Sequence, residues 1–234
     1  MSELIKKAKN GSIDFGGKTS IKLANKTHEL DKNIVKFELL KVFGALPAAG
    51  DRHIVEFFPY FLTDKNNNGK KFNVELTTIQ QRKDVWLHGA MQSVRDYNKG
   101  KSKLSKQRSN EAIAGIIASL SSEKSIIEVA NYPNKGQVPE LPLDVMVETM
   151  CTIGNNTVQP LAAGRLPKPV LTICERMIQI NELAVEAALT GDSNLFVEAL
   201  LLDGAVTDMD LAQNMVNALL EAHRQFLPNY FPNG

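Results

Sequence analysis

The hydrophobic period of this chain changes twice, and that change limits the fold more than any other feature of it. Residues 31–43, 77–97, 109–121, 169–189 and about 208–226 repeat apolar side chains at intervals of three and four, the spacing of a helix with one inward face. Between the third and fourth of these stretches, residues 126–130, 145–151 and 158–161 alternate or cluster β-forming side chains and are separated by Asn, Gly and Pro turns. Segments of that length and punctuation predict short antiparallel strands. The expected fold class is α+β, mostly helical with a small antiparallel sheet. At 234 residues and 43 % hydrophobic composition the chain can bury one sizeable core, so residues 1–234 are read as a single domain, without repeats or a long linker.

Helix boundaries follow from local chemistry. The first stretch is expected to be capped by Asp31 or a neighbour, to turn Ile34, Val35, Leu39 and Val42 inward, and to stop at Gly44 and Pro47. Residues 109–121 are expected to start at Ser109 or Asn110. In the 169–189 stretch, Val170, Ile173, Cys174, Met177, Ile180, Ala184 and Ala188 form the apolar stripe and Gly191 the stop. The last helix is expected to begin at Thr207, with Asp210 three residues on as a capping-box partner.

Charge excludes several classes of partner. The 27 basic and 26 acidic residues nearly cancel, for a net charge of +1, which argues against nucleic acid and membrane surfaces as general partners. The one basic run, Lys99, Lys101, Lys103, Lys106 and Arg108, lacks interleaved aromatics and reads as a solvated loop. No apolar stretch reaches the ~20 residues of a bilayer span, and the N-terminus lacks the apolar core of a signal peptide. With only Cys151 and Cys174, read as ordinary buried thiols, a cytoplasmic location is expected and no metal site is. Residues 11–19 imitate a phosphate-binding loop with one residue too many, after a lysine-rich segment that is no β-strand, and read as a polar turn. His28, His88 and His223 have no partner nearby in sequence and read as surface or packed histidines.

The chemistry concentrates in residues 44–59, where Asp51, Arg52, His53 and Glu56 interrupt an apolar run. If a helix starts near Gly50, His53 and Glu56 share a face and Asp51 stands at the N-terminal mouth, where a carboxylate gains from free N–H groups and the helix dipole. Two readings stay open on spacing alone: an N-capping Asp with a local His–Glu pair, or a base, a cation and hydrogen-bonding groups gripping a polar substrate.

Residues 37–62 (FELLKVFGALPAAGDRHIVEFFPYFL), 129–142 (VANYPNKGQVPELP) and 176–192 (RMIQINELAVEAALTGD), with EALLLDGAV and LLEAHRQFLPNY after them, resemble in order the C-terminal half of glycoside hydrolase family 4. The GALPAAGDRH wording resembles the α-galacturonidase, α-glucosidase and α-galactosidase branches more than the 6-phospho-β-glucosidases. The resemblance implies a glycosidase outside the two-carboxylate scheme. In that family NAD takes hydride from C3 of the sugar, a divalent metal such as Mn²⁺ polarises the ketone, and a base removes the C2 proton so that the glycosidic bond leaves by elimination. It implies Asp51 as the catalytic base, Arg52, His53 and Glu56 as substrate-binding residues, and Asn134 and Gln137 in the N-x-G-Q loop as cofactor contacts. Glu140 stands where that loop usually has Asn.

No G-x-G-x-x-G follows a strand here, and no Cys/His metal motif is present, so most of the NAD and metal sites implied by the resemblance are absent from this sequence. Three readings result. The chain is the substrate and oligomerisation domain of a family-4 glycosidase, completed by an N-terminal dinucleotide-binding half and acting on a sugar glycoside; or it is a non-catalytic, self-associating module; or it is an independent hydrolase using Asp51, His53 and Glu56 as base, orienter and acid. A domain lacking its other half should expose apolar surface and form homo-oligomers.

Overall fold

The computed structural model describes residues 2–10, 20–23, 26–29, 33–103, 112–228 and 230. The chain divides into two compact units, Met1–Glu111 and Ala112–Gly234. The polar turn expected at 11–19, the cap expected at Asp31, and Ser109 and Asn110 with the end of the basic run all lie outside the described residues.

The first unit contains α1 (Ser2–Lys9), a two-stranded antiparallel ribbon of β1 (Ser20–Leu23) and β2 (Lys26–Glu29), α2 (Ile34–Phe43) and α3 (Asp51–Phe57). His28 lies on β2, a ribbon that the hydrophobic period did not announce. Val35 and Leu39 of α2 meet Ile54 and Val55 of α3, together with Phe61 and Val74, in a core cluster. Val42, expected inside, is 75 % exposed, and Leu40 is buried instead. Two adjacent leucines, 39 and 40, let α2 turn a slightly different face inward than its outermost spacing suggests. Gly44 ends the helix in the left-handed region at φ 71°, its N–H donating to the Leu40 carbonyl. Beyond 3₁₀ turns, Thr78 and Gln81 form a reciprocal capping box that starts α4 (Ile79–Gln81). That helix continues through a π-helical stretch (Arg82–His88) into α5 (Gly89–Asn98), matching the helix expected at 77–97.

The second unit opens with α6 (Ile113–Leu120), against which a sheet of β3 (Ile126–Pro133), β4 (Met146–Gly154) and β5 (Thr157–Pro160) packs in the order β3-β4-β5, antiparallel throughout. The β4–β5 turn is two residues, Asn155 and Asn156, both with positive φ, as a type I′ hairpin needs. Then come α7 (Lys168–Thr190), α8 (Ser193–Asp203) and α9 (Met209–Ala222), the last two joined by a cluster of Val197, Ala212 and Val216. On α7 the buried residue is Ala187, with the expected stripe half-buried from Val170 to Ala184 and Ala188 exposed. The α9 cap is Asp208, one residue after Thr207, its Oδ1 accepting the Leu211 N–H at 2.7 Å. Tyr230 stacks on Phe196 and donates its hydroxyl hydrogen bond to the Ala187 carbonyl.

At Gly154 the sheet meets Ser125 so closely that an added Cβ would lie 2.5 Å from its Oγ and 2.7 Å from its Cα. The second atom is backbone and cannot swing away. Gly154→Ala is expected to destabilise the second unit by about 2 kcal/mol through overpacking, read as a lowered urea midpoint. An unchanged midpoint would mean that the β4 end and Ser125 separate at no cost.

Both cysteines are free; Cys151 is fully buried and Cys174 half-buried. Burial raises both thiols above their ordinary value of 9.0, and the neighbouring Glu175 charge adds to this for Cys174. Burial and the Asp192 charge likewise raise the Tyr230 phenol above 10.0. An acid whose folded pKa is raised keeps its proton in the native state after the unfolded chain has lost it, so stability is whole below pH 9 and falls above it. The unfolding midpoint should therefore decline between pH 9 and 10.5, and less steeply in Cys151→Ala, comparing each protein with its own midpoint at pH 8.

Candidate functional site

Gly50 occupies the N-cap of α3 in an extended conformation, φ −72° and ψ 158°, and makes Asp51 the first helical residue. The helix then has two faces. Asp51, Ile54 and Val55 are buried, while Arg52, His53 and Glu56 are exposed.

Asp51 caps a helix, though not its own. Its Oδ2 accepts the Val35 N–H and its Oδ1 the Lys36 N–H, both at 3.0 Å, at the start of α2. The residue in the N-cap position of α2, Asn33, is left-handed at φ 55° and makes no side-chain cap bond. A cap side chain normally works from the extended region, so Asp51, eighteen residues further on, does what Asn33 cannot do locally. The carboxylate also meets the positive end of the α2 dipole. Asp51 is 0 % exposed.

On the open face, His53 Nδ1 lies 3.9 Å from Glu56 Oε2, the shared face expected from their spacing. The Arg52 guanidinium donates to Thr77 Oγ1 at 3.4 Å, a partner that no sequence spacing identifies. A cation, an imidazole and a carboxylate are thus presented together, with Asp51 on the opposite side of the helix. For the reading of Asp51, His53 and Glu56 as base, orienter and acid, the geometry brings together only His53 and Glu56: the i, i+2 step from Asp51 to His53 crosses the helix.

The polar loop after β3 is closed upon itself. Asn134 is 0 % exposed, and its amide donates to the carbonyls of Val138 and Leu141 at 2.9 Å and of Pro142 at 3.0 Å. Its Oδ1 accepts the N–H groups of Gly136 and Val138 at 3.2 Å. Gln137, 5 % exposed, accepts from the Lys135 N–H at 2.6 Å and donates to the Pro133 carbonyl at 2.9 Å. Lys135 and Asp144 form an ion pair across the loop mouth. The polar atoms of Asn134 and Gln137 are thus engaged by the loop backbone, and these two residues shape the loop. Glu140 sits beside it with Oε1 3.8 Å from Arg165 and a buried Oε2 that has no hydrogen-bond partner.

His88 has a partner after all, Asp84 at 3.8 Å one turn earlier, and His223 Nδ1 lies 2.8 Å from the Leu219 carbonyl. Among the described residues, no three His, Cys, Asp or Glu side chains gather as a metal-holding group, and no helix is long and apolar enough to cross a membrane.

Comparison with known proteins gives a consistent picture. Residues 1–206 match the family 4 glycosyl hydrolase C-terminal domain. The chain is 36 % identical over 194 residues to an alpha-galacturonidase of Bacillus subtilis, covering 82 % of this chain and 42 % of that protein. It is 32 % identical over 203 residues to an alpha-galacturonidase of Lachnoclostridium phytofermentans, covering 84 % and 43 %. The chain thus spans less than half the length of the curated relatives it matches. Among solved structures, lplD of Bacillus subtilis, described as a glucosidase, superposes with a TM-score of 0.73 at 34 % identity, over 81 % of this chain and 43 % of that one. The 6-phospho-beta glucosidase of Thermotoga maritima, solved with manganese, NAD+ and glucose-6-phosphate, shares the fold at a TM-score of 0.60 and 20 % identity, over 82 % and 44 %.

Proposed function

We propose, since the chain belongs to glycosyl hydrolase family 4 through that family's C-terminal domain, that it is the glycoside-facing domain of an α-galacturonidase completed by a dinucleotide-binding half. The observation that carries this is the 36 % identity to an alpha-galacturonidase along 82 % of the chain. In this reading the open face of α3 meets the sugar. Arg52 suits a uronate carboxylate, which a guanidinium takes in two parallel hydrogen bonds, and His53 and Glu56 suit ring hydroxyls. Asp51 holds that face in place by fixing the start of α3 to α2.

The described residues of this chain do not by themselves fit NAD or Mn²⁺. The donor set for a divalent ion is not assembled among them, and the polar atoms of Asn134 and Gln137 are engaged within their own loop. This reading leaves hydride transfer and metal polarisation to the other half and assigns no step of them to these residues.

The test is one titration with NAD, Mn²⁺ and p-nitrophenyl α-galacturonide, with the chain alone and with the N-terminal half of the Bacillus subtilis alpha-galacturonidase added. The chain alone should neither bind NAD nor release nitrophenol, and the mixture should do both. Turnover by the chain alone would overturn the division of labour. A mixture that binds NAD without turnover would favour the non-catalytic module.

A further inference from the structure

The chain that follows Val74 passes from the buried side of α3 to its open side. Val74, 1 % exposed, lies in the same core cluster as Ile54 and Val55, the apolar residues that α3 buries. Three residues on, Thr77 Oγ1 accepts the hydrogen bond from Nη1 of the exposed Arg52. Extended chain of that length reaches about 10 Å, the width of a helix with its side chains, so residues 74–77 span α3 from one face to the other.

Both ends of the passage are fixed. The Val74 N–H donates to the Gly69 carbonyl at 3.1 Å, and directly after Thr77 the capping box of Thr78 and Gln81 closes with bonds of 2.8 and 3.1 Å. Thr77 is itself half-buried. The hydroxyl is therefore set by the fold, and the long, exposed arginine is the member of the pair that the bond restrains.

The kind of acceptor matters. A guanidinium carries several N–H donors, and a carboxylate takes two of them in parallel bonds. A hydroxyl oxygen takes one donor and has no charge, so Thr77 orients the guanidinium without neutralising it. An aspartate in its place would hold Arg52 as firmly but compete with an incoming carboxylate. A side chain held beforehand also loses less rotamer freedom when the anion arrives.

We propose that Thr77 is a positioning residue for Arg52, and through it a determinant of selectivity for uronates over neutral sugars. This rests on the reading that the open face of α3 meets the sugar.

The test uses the 234-residue chain itself, with galacturonate as the probe and galactose as its neutral counterpart. Two quantities are read by NMR: the order parameter of the Arg52 Nε–H, assigned by its loss in Arg52→Lys, and the affinity of each sugar from shifts of the α3 amides at constant ionic strength. Thr77→Val keeps the shape of the side chain and removes the acceptor. It should lower the Arg52 order parameter and weaken galacturonate about fivefold, leaving galactose unchanged. Thr77→Ser restores the hydroxyl and should return both quantities to near the parent, the affinity within about twofold. Thr77→Asp should keep Arg52 ordered and yet weaken galacturonate about tenfold, a combination that loss of local structure does not produce. An Arg52 order parameter indifferent to Thr77→Val, or galacturonate and galactose weakened alike, would overturn the role of Thr77 and leave the sugar-facing reading in place. Galacturonate that shifts no α3 amide up to about 100 mM, where even an affinity of a few mM saturates, would overturn that reading and this proposal with it.

Discussion

Asp51→Ala is expected to lower the stability of the first unit by about 3 kcal/mol, the sum of a lost cap and two backbone N–H groups left without acceptors. The size follows from burial. The Val35 N–H that donates to Oδ2 belongs to a residue with 0 % exposure, so water cannot replace the carboxylate there. Asp208 caps α9 with a similar bond of 2.7 Å, but on an exposed surface, and Asp208→Ala should cost only a fraction as much. Urea unfolding of both variants beside the parent makes the comparison direct, and equal losses would show that burial is not what gives the Asp51 cap its weight. Asp51→Asn separates capping from base catalysis. Asparagine keeps one acceptor, so it should lose only about half of the stability that alanine loses. In the reconstituted enzyme, a base role predicts that Asp51→Asn abolishes turnover while leaving fold and NAD binding intact. Turnover that follows only the stability loss would assign Asp51 to positioning alone.

What could be read from the sequence was what depends on near neighbours. The change of period located the sheet, and the strands differ from expectation mainly in length: β3 runs on to Pro133 and β4 to Gly154. Gly191 ends α7 where expected, in the left-handed region at φ 78°, and the His53–Glu56 pair lies on the face that an i, i+3 spacing requires. What could not be read depends on residues far apart in sequence. Nothing in the spacing of GDRH says that its carboxylate reaches back to Val35 and Lys36, because that contact exists only once α2 and α3 pack through Leu39, Ile54 and Val55. The helix expected at 77–97 shows the opposite failure. Its period gives the helix correctly, yet the same period implies a buried face, and none of the residues of α4, the π stretch and α5 is buried.

The loop after β3 was legible as a polar turn but not as a closed one. A signal was present: an Asn two residues before a Gly lets the Asn side chain accept the Gly N–H, provided the Gly takes positive φ, and Gly136 does so at 104°. The resemblance implies Asn134 and Gln137 as cofactor contacts; within the fold, the bonds their side chains make run to the backbone between Pro133 and Pro142. Rigid loops often act this way, with buried side chains fixing a surface that other residues present.

Asn134→Ala should accordingly be among the most damaging single changes in the second unit, at about 4 kcal/mol. It removes acceptors from two backbone N–H groups and a donor shared by three carbonyls, and Val138 and Leu141, which supply three of those five groups, are 7 % and 8 % exposed. Some of the loss will be relieved as water enters, which keeps the figure below the sum of five separate bonds. Asn134→Asp is the sharper variant. It preserves both accepted bonds but faces the Val138, Leu141 and Pro142 carbonyls with oxygen in place of a donor, so it should be at least as harmful as alanine. Gln137→Ala, with two bonds at stake, should cost less than either. Urea midpoints rank the three, and hydrogen exchange at the Gly136 and Val138 amides locates the damage, since both donate to Asn134 and should lose protection first. A variant that keeps parental stability and amide protection while losing NAD affinity in the reconstituted enzyme would instead place the Asn134 amide on the cofactor, and the loop would owe its shape to the backbone bond from the Asn134 N–H to the Val145 carbonyl at 2.7 Å.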